Sequence, residues 1–227
     1  MSDAGDRFAE ALASGLAAWR LEATLEQIAA LRAHYEAVVE ANAVMNLTRI
    51  TDPVEAAVKH VLDSLAPLLH LRESGSEDRV RRLLDIGTGA GFPAVPLAVM
   101  RPDWPVLAID GTRKKIDFLA GFAARAGVAN LRAEHIHSSH RPPDGSFDLV
   151  TLRAVGSLAA CITQAARHTA RRGEIVVYKT AVLEDEELDE GHAAAREQHC
   201  TEPRTFPYSL TLGDETLLRA LFVVVRR

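Results

Sequence analysis

One segment constrains this chain more than any other: Leu83-Leu84-Asp85-Ile86-Gly87-Thr88-Gly89-Ala90-Gly91-Phe92-Pro93. An apolar run of strand length enters a turn with glycine at every second position, and an apolar helical pattern follows. Gly87 and Gly89 let the backbone approach a ligand with no Cβ in the way. In open α/β sheets, ligands bind at such carboxyl ends of strands. The surrounding pattern agrees. Further apolar runs at Val106–Asp110, Asn130–His135, Phe147–Leu152 and Glu174–Tyr178 read as strands, as does Arg82–Ile86 leading into the turn. Helical patterns at Lys114–Ala126 and Leu158–Thr169 separate them. That alternation predicts an α/β fold, a mostly parallel sheet with helices on both faces. The run Leu217–Val225 predicts a closing antiparallel strand.

The first third of the chain reads differently. Residues 1 to about 75 are Ala-rich and helical in pattern. Thr24 with Gln27 forms a capping box, and apolar residues recur at Leu25, Ile28, Leu31, Tyr35, Val38 and Val39 with helical spacing. Asp52-Pro53 combines an N-cap with proline at the first helical position, and Asn46-Leu47-Thr48 before it reads as a turn. The expected organisation is a helical extension over 1–75 and a sheet domain over 76–227, with Glu73 to Asp78 as the hinge.

Composition narrows the partners. The 227 residues carry 26 Lys+Arg against 31 Asp+Glu, a formal net charge of −5, whereas general nucleic-acid binders are usually strongly basic. Any RNA contact is therefore expected through local patches: Arg79, Arg81 and Arg82; Arg113, Lys114 and Lys115; or Arg167, Arg171 and Arg172. Two cysteines, Cys161 and Cys200, make neither a disulfide framework nor a metal knuckle, which fits a reducing cytosol. No signal peptide or membrane span is read, so the expected setting is the cytoplasm, with no membrane or DNA partner and a monomeric state.

The neighbours of the glycines select a ligand. A phosphate loop needs Gly-Lys-Ser/Thr, and no lysine is present. A dinucleotide site prefers G-x-G-x-x-G, and this loop is G-x-G-x-G. Asp85, two residues before Gly87, repels pyrophosphate but suits an ammonium group. Asp110, 19 residues beyond Gly91, ends the second strand and is placed to accept both ribose hydroxyls. Ammonium plus ribose describes S-adenosyl-L-methionine, and the fold expected is the class I methyltransferase variant of the Rossmann-like sheet. A dinucleotide site and a purely structural turn capped by Asp85 are the alternatives.

The acceptor is narrowed by elimination. Cytosine C5 methylation needs a cysteine nucleophile, and Cys161 lies inside an expected helix. Exocyclic-amine methyltransferases carry Asn/Asp-Pro-Pro-aromatic after the fourth strand, where this chain has Thr151-Leu152-Arg153-Ala154. Arg153 there suits a carbonyl oxygen or a phosphate; the alternative is an ion pair with Asp85 or Asp110. Lys179 follows the fifth strand on the same edge, as an anchoring cation or a solvated strand-end lysine. His135, His137 and His140 invite a metal reading, with 135 and 137 on one strand face, but no carboxylate or thiol completes a site, and no metal is expected.

Taken together, Asn46-Leu47-Thr48, Asp52-Pro53, His60-Val61-Leu62-Asp63-Ser64, the Asp85–Pro93 loop, Arg153-Ala154 and Tyr178-Lys179 resemble the RsmG/GidB family, from Asn42 to the C-terminus. The resemblance implies transfer of a methyl group from S-adenosyl-L-methionine to N7 of a guanine in the decoding-site loop of 16S rRNA in the small ribosomal subunit. It further implies that Gly87, Gly89 and Phe92 line the methionine and ribose part of the site and that Asp110 holds the ribose. Ser138 and Ser139 would fall near adenine, and Arg153 would face the methyl-transfer region with Lys179 beside it. Two departures stand out: His137-Ser138-Ser139 replaces a usual Arg-Ala-Glu, and Thr180 replaces a usual glycine. Other acceptors, or a cofactor-binding assembly factor without transfer activity, are the alternatives.

Overall fold

The computed structural model describes residues 3–137 and 145–227. Four helical segments come first: α1 (Asp3–Ala18), α2 (Leu25–Met45), α3 (Pro53–Ala56) and α4 (Asp63–Glu73), the last two joined without a break by a π-helical stretch over Ala57–Leu62. Their ends are chemically specified. Thr24 Oγ1 accepts from the Gln27 amide while the Gln27 side chain accepts from the Thr24 amide, closing the box at the start of α2. Asn46 ends α2 in the left-handed region, with φ 50°. Asp52 accepts from the amides of Val54 and Glu55, and Pro53 opens α3.

Seven strands form one sheet in the order β3-β2-β1-β4-β5-β7-β6. They are β1 (Leu83–Ile86), β2 (Val106–Asp110), β3 (Leu131–His135), β4 (Phe147–Arg153), β5 (Thr169–Thr180), β6 (Arg204–Leu212) and β7 (Glu215–Val225). The first five pair in parallel, and β7 enters antiparallel between β5 and β6. The expected parallel sheet and closing antiparallel strand are both present. Every residue of β1 and β2 is buried, as parallel strands covered on both faces require.

The remaining helices are α5 (Ala94–Met100), α6 (Arg113–Ala126), α7 (Leu158–Ala166) and α8 (Asp185–Glu197). One apolar cluster joins Phe8, Leu12, Leu31, Leu65 and Leu71 of the N-terminal helices to Leu97, Leu119, Val106, Leu149 and Val176. A second, on the opposite face, packs Ile162 and Ala165 of α7 and Ala195 of α8 against Ile86, Ile109 and Val177. The N-terminal helices thus form part of one layer of the sheet. The expected helix Leu158–Thr169 stops at Ala166, because Thr169 opens β5 beside Phe147. Strand order reverses between β1 and β4, and the loops leaving these strands border that switch point.

Candidate active site

The loop after β1 is tied to the end of β2. The Gly87 and Thr88 amides donate to the Ile109 carbonyl at 2.9 and 3.1 Å. The Gly89 amide donates to Asp110 Oδ2 at 3.1 Å, and Asp110 Oδ1 accepts from the Thr112 amide at 2.8 Å. Lys115 Nζ stands 3.8 Å from Asp110 Oδ2. The two key strand-end groups, the glycine turn and the β2 carboxylate, are therefore in direct contact.

The glycines divide by what surrounds them. Gly87, Gly89 and Gly91 all have positive φ, at 73°, 58° and 99°. A Cβ on Gly91 would stand 2.8 to 3.1 Å from Val95, Leu119 and His34, so packing requires glycine there. A Cβ on Gly87 would meet Val155 of the β4 loop at 2.4 Å. Among the described residues, a Cβ on Gly89 would meet nothing nearer than the Gly87 carbonyl at 4.0 Å. Gly89 is thus open on the side where a ligand would lie.

Beneath the loop, Asp85 is 1% exposed. Its Oδ1 accepts the Thr151 hydroxyl from β4 at 2.8 Å, and Oδ2 has no hydrogen bond of normal geometry. Burial pushes this carboxyl up to about 6, against the Thr88 and Thr151 hydroxyls, the Ala94 amide and the Arg153 charge. Thr151 is a site residue the sequence reading passed over; its position opposite Asp85 follows from the β1–β4 register.

The loop also leans on the N-terminal helices. His34 of α2 is fully buried, and its Nε2 donates to the Ala90 carbonyl at 2.8 Å. His60, in the π-helical stretch, bonds Thr48 Oγ1 through Nε2 at 2.8 Å. Phe92 meets both rings, 4.7 Å from His34 and 4.6 Å from His60, with His60 nearly parallel at 16°. Burial pushes His34 down to about 4; burial and the Arg153 charge push His60 down to about 3. Both are neutral at physiological pH. His34 continues the Leu31, Tyr35, Val38 face of α2, so its burial was legible but its target was not.

Arg153 and Lys179 stand at the ends of β4 and β5, and both are held. Arg153 Nη1 donates to the His60 carbonyl and Ser64 Oγ, and Nη2 donates to the Lys59 carbonyl. Nη2 also lies 2.9 Å from Asp63 Oδ2. The expected alternative partners, Asp85 and Asp110, are not the ones used. Asp63 in turn accepts the Tyr208 hydroxyl at 2.6 Å, and the Tyr178 hydroxyl donates to the Ser64 carbonyl. The His-x-x-Asp-Ser segment is thus a bracket between the N-terminal layer and the strand ends. Lys179 Nζ donates to the Gly156 carbonyl and to Glu187 of α8, at 2.7 and 2.6 Å, rather than standing in solvent.

Ser138, Ser139 and His140 lie outside the described residues. β3 ends at His135, whose Nε2 is 3.0 Å from the Gly111 carbonyl, so His137 lies beyond the strand rather than on its face. Among the described residues no group of three metal-binding side chains gathers. Burial raises the Cys161 thiol to about 11, which keeps it protonated at neutral pH. Of the basic clusters, Arg113, Lys114 and Lys115 open α6 on the same rim as Asp110. Arg167, Arg171, Arg172, Arg79 and Arg82 lie toward the opposite strand ends, and Arg81 is buried against Ser76. A groove of about 600 Å³ between α7 and α8, lined by Ala160, Gln164 and Ala193 among others, is separate from the glycine loop. No helix among the described residues is long and apolar enough to cross a membrane.

Comparison with known proteins places the architecture and the family. The architecture is similar to the magnesium protoporphyrin IX methyltransferase of Synechocystis PCC 6803 with bound SAM (TM-score 0.60, 12% identity, 86% of this chain and 97% of that one), a likeness of fold. In sequence, the chain is 40% identical over 78% of its length to ribosomal RNA small subunit methyltransferase G of Sorangium cellulosum, covering 74% of that protein. It is 41% identical over 65% of its length to the protein of that name from Psychrobacter cryohalolentis, covering 58% of it. The profile of the GidB family, rRNA small subunit methyltransferase G, matches residues 27–207. With that profile spanning most of the chain and the glycine loop, Asp110 and the strand-end bracket assembled on one rim, the protein belongs to the GidB family.

Proposed function

We propose that this chain transfers the methyl group of S-adenosyl-L-methionine to N7 of a guanine in the decoding-site loop of 16S rRNA, on the small ribosomal subunit. Family membership supports the reaction class, and the cradle of Gly87, Gly89 and Asp110 carries the cofactor reading. The residues present fit that cofactor: open space over Gly89, a carboxylate at the ribose position, and a buried carboxyl at Asp85 with one oxygen unsatisfied.

Held there, S-adenosylmethionine would supply an electrophilic methyl on a sulfonium for the N7 lone pair of guanine. The chain's task is alignment at near-attack distance. No general base is asked of it, because N7 presents an in-plane lone pair and no proton. In this reading Gly87, Gly89 and Phe92 shape the methionine and ribose side, Asp85 favours the ammonium, and Asp110 holds the ribose hydroxyls. Ser138 and Ser139 are assigned to the adenine side. Arg153 and Lys179 frame the acceptor side, where fixed positive charge anchors guanine O6 or a flanking phosphate. The target guanine must be splayed from its loop to reach the rim. Residues 1–75 serve as the extension that holds the rim in shape, residues 76–227 as the transfer domain, and the protein acts as a cytoplasmic monomer.

The test uses purified protein, labelled S-adenosylmethionine and small subunits from cells lacking the modification. The expected product is 7-methylguanosine at a single decoding-loop position. Binding of S-adenosylhomocysteine with no methylated guanosine would overturn the acceptor assignment.

A further inference from the structure

We infer that His60 is a positioning residue for the cofactor: its ring, braced by Thr48 and stacked on Phe92, sets the face that Phe92 turns to the glycine loop. The inference rests on the reading of that loop as the S-adenosylmethionine site and deepens it.

Several independent contacts converge on this ring. Phe92 follows Gly91 directly and its amide donates to the Thr88 carbonyl, so a tilt of Phe92 moves the turn itself. His34 meets Phe92 at a tilt of 47°, and His60 stacks on it nearly flat. His60 is placed by a short relay. Asn42 Oδ1 accepts the Thr48 amide at 2.8 Å, Thr48 Oγ1 accepts the Ile50 amide at 3.0 Å, and the same oxygen meets His60 Nε2. A neutral imidazole accepting the Thr48 hydroxyl proton at Nε2 satisfies all of these groups.

The backbone around His60 is equally committed. It lies in a π-helical stretch, a local widening that recurs at functional sites. Its carbonyl and that of Lys59 receive the Arg153 guanidinium. One residue therefore touches the glycine-loop half of the rim through its ring and the β4 half through its backbone. A phenylalanine would hold the Phe92 stack but lose the Thr48 bond; an alanine would lose both.

The experiment measures S-adenosylhomocysteine affinity by calorimetry, and KM against kcat for S-adenosylmethionine on small subunits. The proteins compared are wild type, His60→Ala, His60→Phe and Thr48→Val. The expected result is a cofactor Kd and KM raised on the order of tenfold in His60→Ala, the equivalent of one aromatic pair, with kcat changed less. His60→Phe recovers most of that affinity, and Thr48→Val weakens binding by about threefold. A loss of packing alone would lower the yield of folded enzyme and leave Kd unmoved. Equal affinity in wild type and His60→Ala, or equal weakening in His60→Ala and His60→Phe, overturns the inference. Should His60→Ala not fold, an unchanged Kd in Thr48→Val overturns it. Wild type that binds no S-adenosylhomocysteine overturns the cofactor reading beneath it, a result distinct from variants that bind as tightly as wild type.

Discussion

The two halves of the carboxyl rim are built by different means. The β1–β2 half is made of backbone: three glycines with positive φ, amides turned to Ile109 and Asp110, and one carboxylate at each strand end. Its turn bonds join residues about two dozen positions apart, while His34, His60 and Thr151 brace it from other layers. The β4–β5 half is made of side-chain contacts, those of Arg153 and Tyr208 reaching far along the sequence. Arg153 is gripped by residues 59 to 64, Tyr208 reaches Asp63, and Lys179 is clamped by α8. Even the carboxylates differ. Asp85 is buried with no ion-pair partner among the described residues, whereas Asp63 has a guanidinium and a phenol. A backbone-built turn suffers most from a side chain at the wrong position and less from loss of a distant contact. A side-chain-built frame has the opposite weakness.

The largest effect tests the first half. Gly89→Val should abolish measurable cofactor binding, a loss beyond a hundredfold and so about 3 kcal/mol or more. The fold should survive, because a Cβ there meets no close neighbour among the described residues and left-handed φ costs about 1–2 kcal/mol. Calorimetry with S-adenosylhomocysteine beside a thermal melt checks both. If binding persists, the glycine half is not the cradle.

Next is the pH response of Asp85. Its folded pKa of about 6 lies above the ordinary aspartate value of 3.8. Below pH 4 the group is protonated in both states and costs nothing. As pH rises from 4 through 6, the unfolded chain ionises more readily, and the folded state loses up to about 3 kcal/mol, retained as a penalty above pH 6. His34 and His60 act oppositely, since their depressed values withdraw stability as pH falls below about 6.5. They are common to wild type and Asp85→Asn, so they cancel in the difference between the two unfolding curves. That difference should move in favour of Asp85→Asn between pH 4 and 7. A flat difference would mean that Asp85 is satisfied in a way its geometry does not provide.

A smaller loss sharpens the contrast from the other half. Asp63→Asn strips the partly exposed Arg153 of its counter-charge and should cost about 2 kcal/mol in urea unfolding. Cofactor affinity should change by less than about threefold, because the glycine half keeps its own contacts. An equal loss of stability and cofactor affinity would show that the halves are one cooperative unit. Smallest is Lys179→Met. The half-buried pair with Glu187 contributes about 0.5–1 kcal/mol, and Glu187 keeps its bond to the Leu158 amide. A melt should record a shift of a few degrees at most.

Legibility followed the same division. β1 and β2 were plain in the sequence because strands buried on both faces are continuous apolar runs. β5 was foreseen only over Glu174–Tyr178; its first residues, Thr169 to Gly173, carry two exposed arginines and no apolar run, so only pairing with Phe147 reveals them as strand. The glycine loop announced its geometry through residue types that few other conformations need. Thr151 did not, because a threonine in an apolar strand looks the same whether it meets a carboxylate or a methyl group. His60 stood out only as part of a motif, with no sign that its ring would meet Phe92.

The amino-acid sequence by itself determined the layered α/β fold, the glycine turn with its two strand-end carboxylates, and the helix caps of Thr24 and Asp52. Each of these depends on chemistry among near neighbours: hydrophobic period, φ preference, a side chain reaching its own helix start. The tertiary structure alone decided that Arg153 pairs with Asp63, that Lys179 is held by Glu187, and that two neutral histidines pack on Phe92. Those contacts join residues separated by 8 to 90 positions. A charged or aromatic side chain has many equivalent partners in a sequence, and only packing the helical layer against the sheet selects one of them.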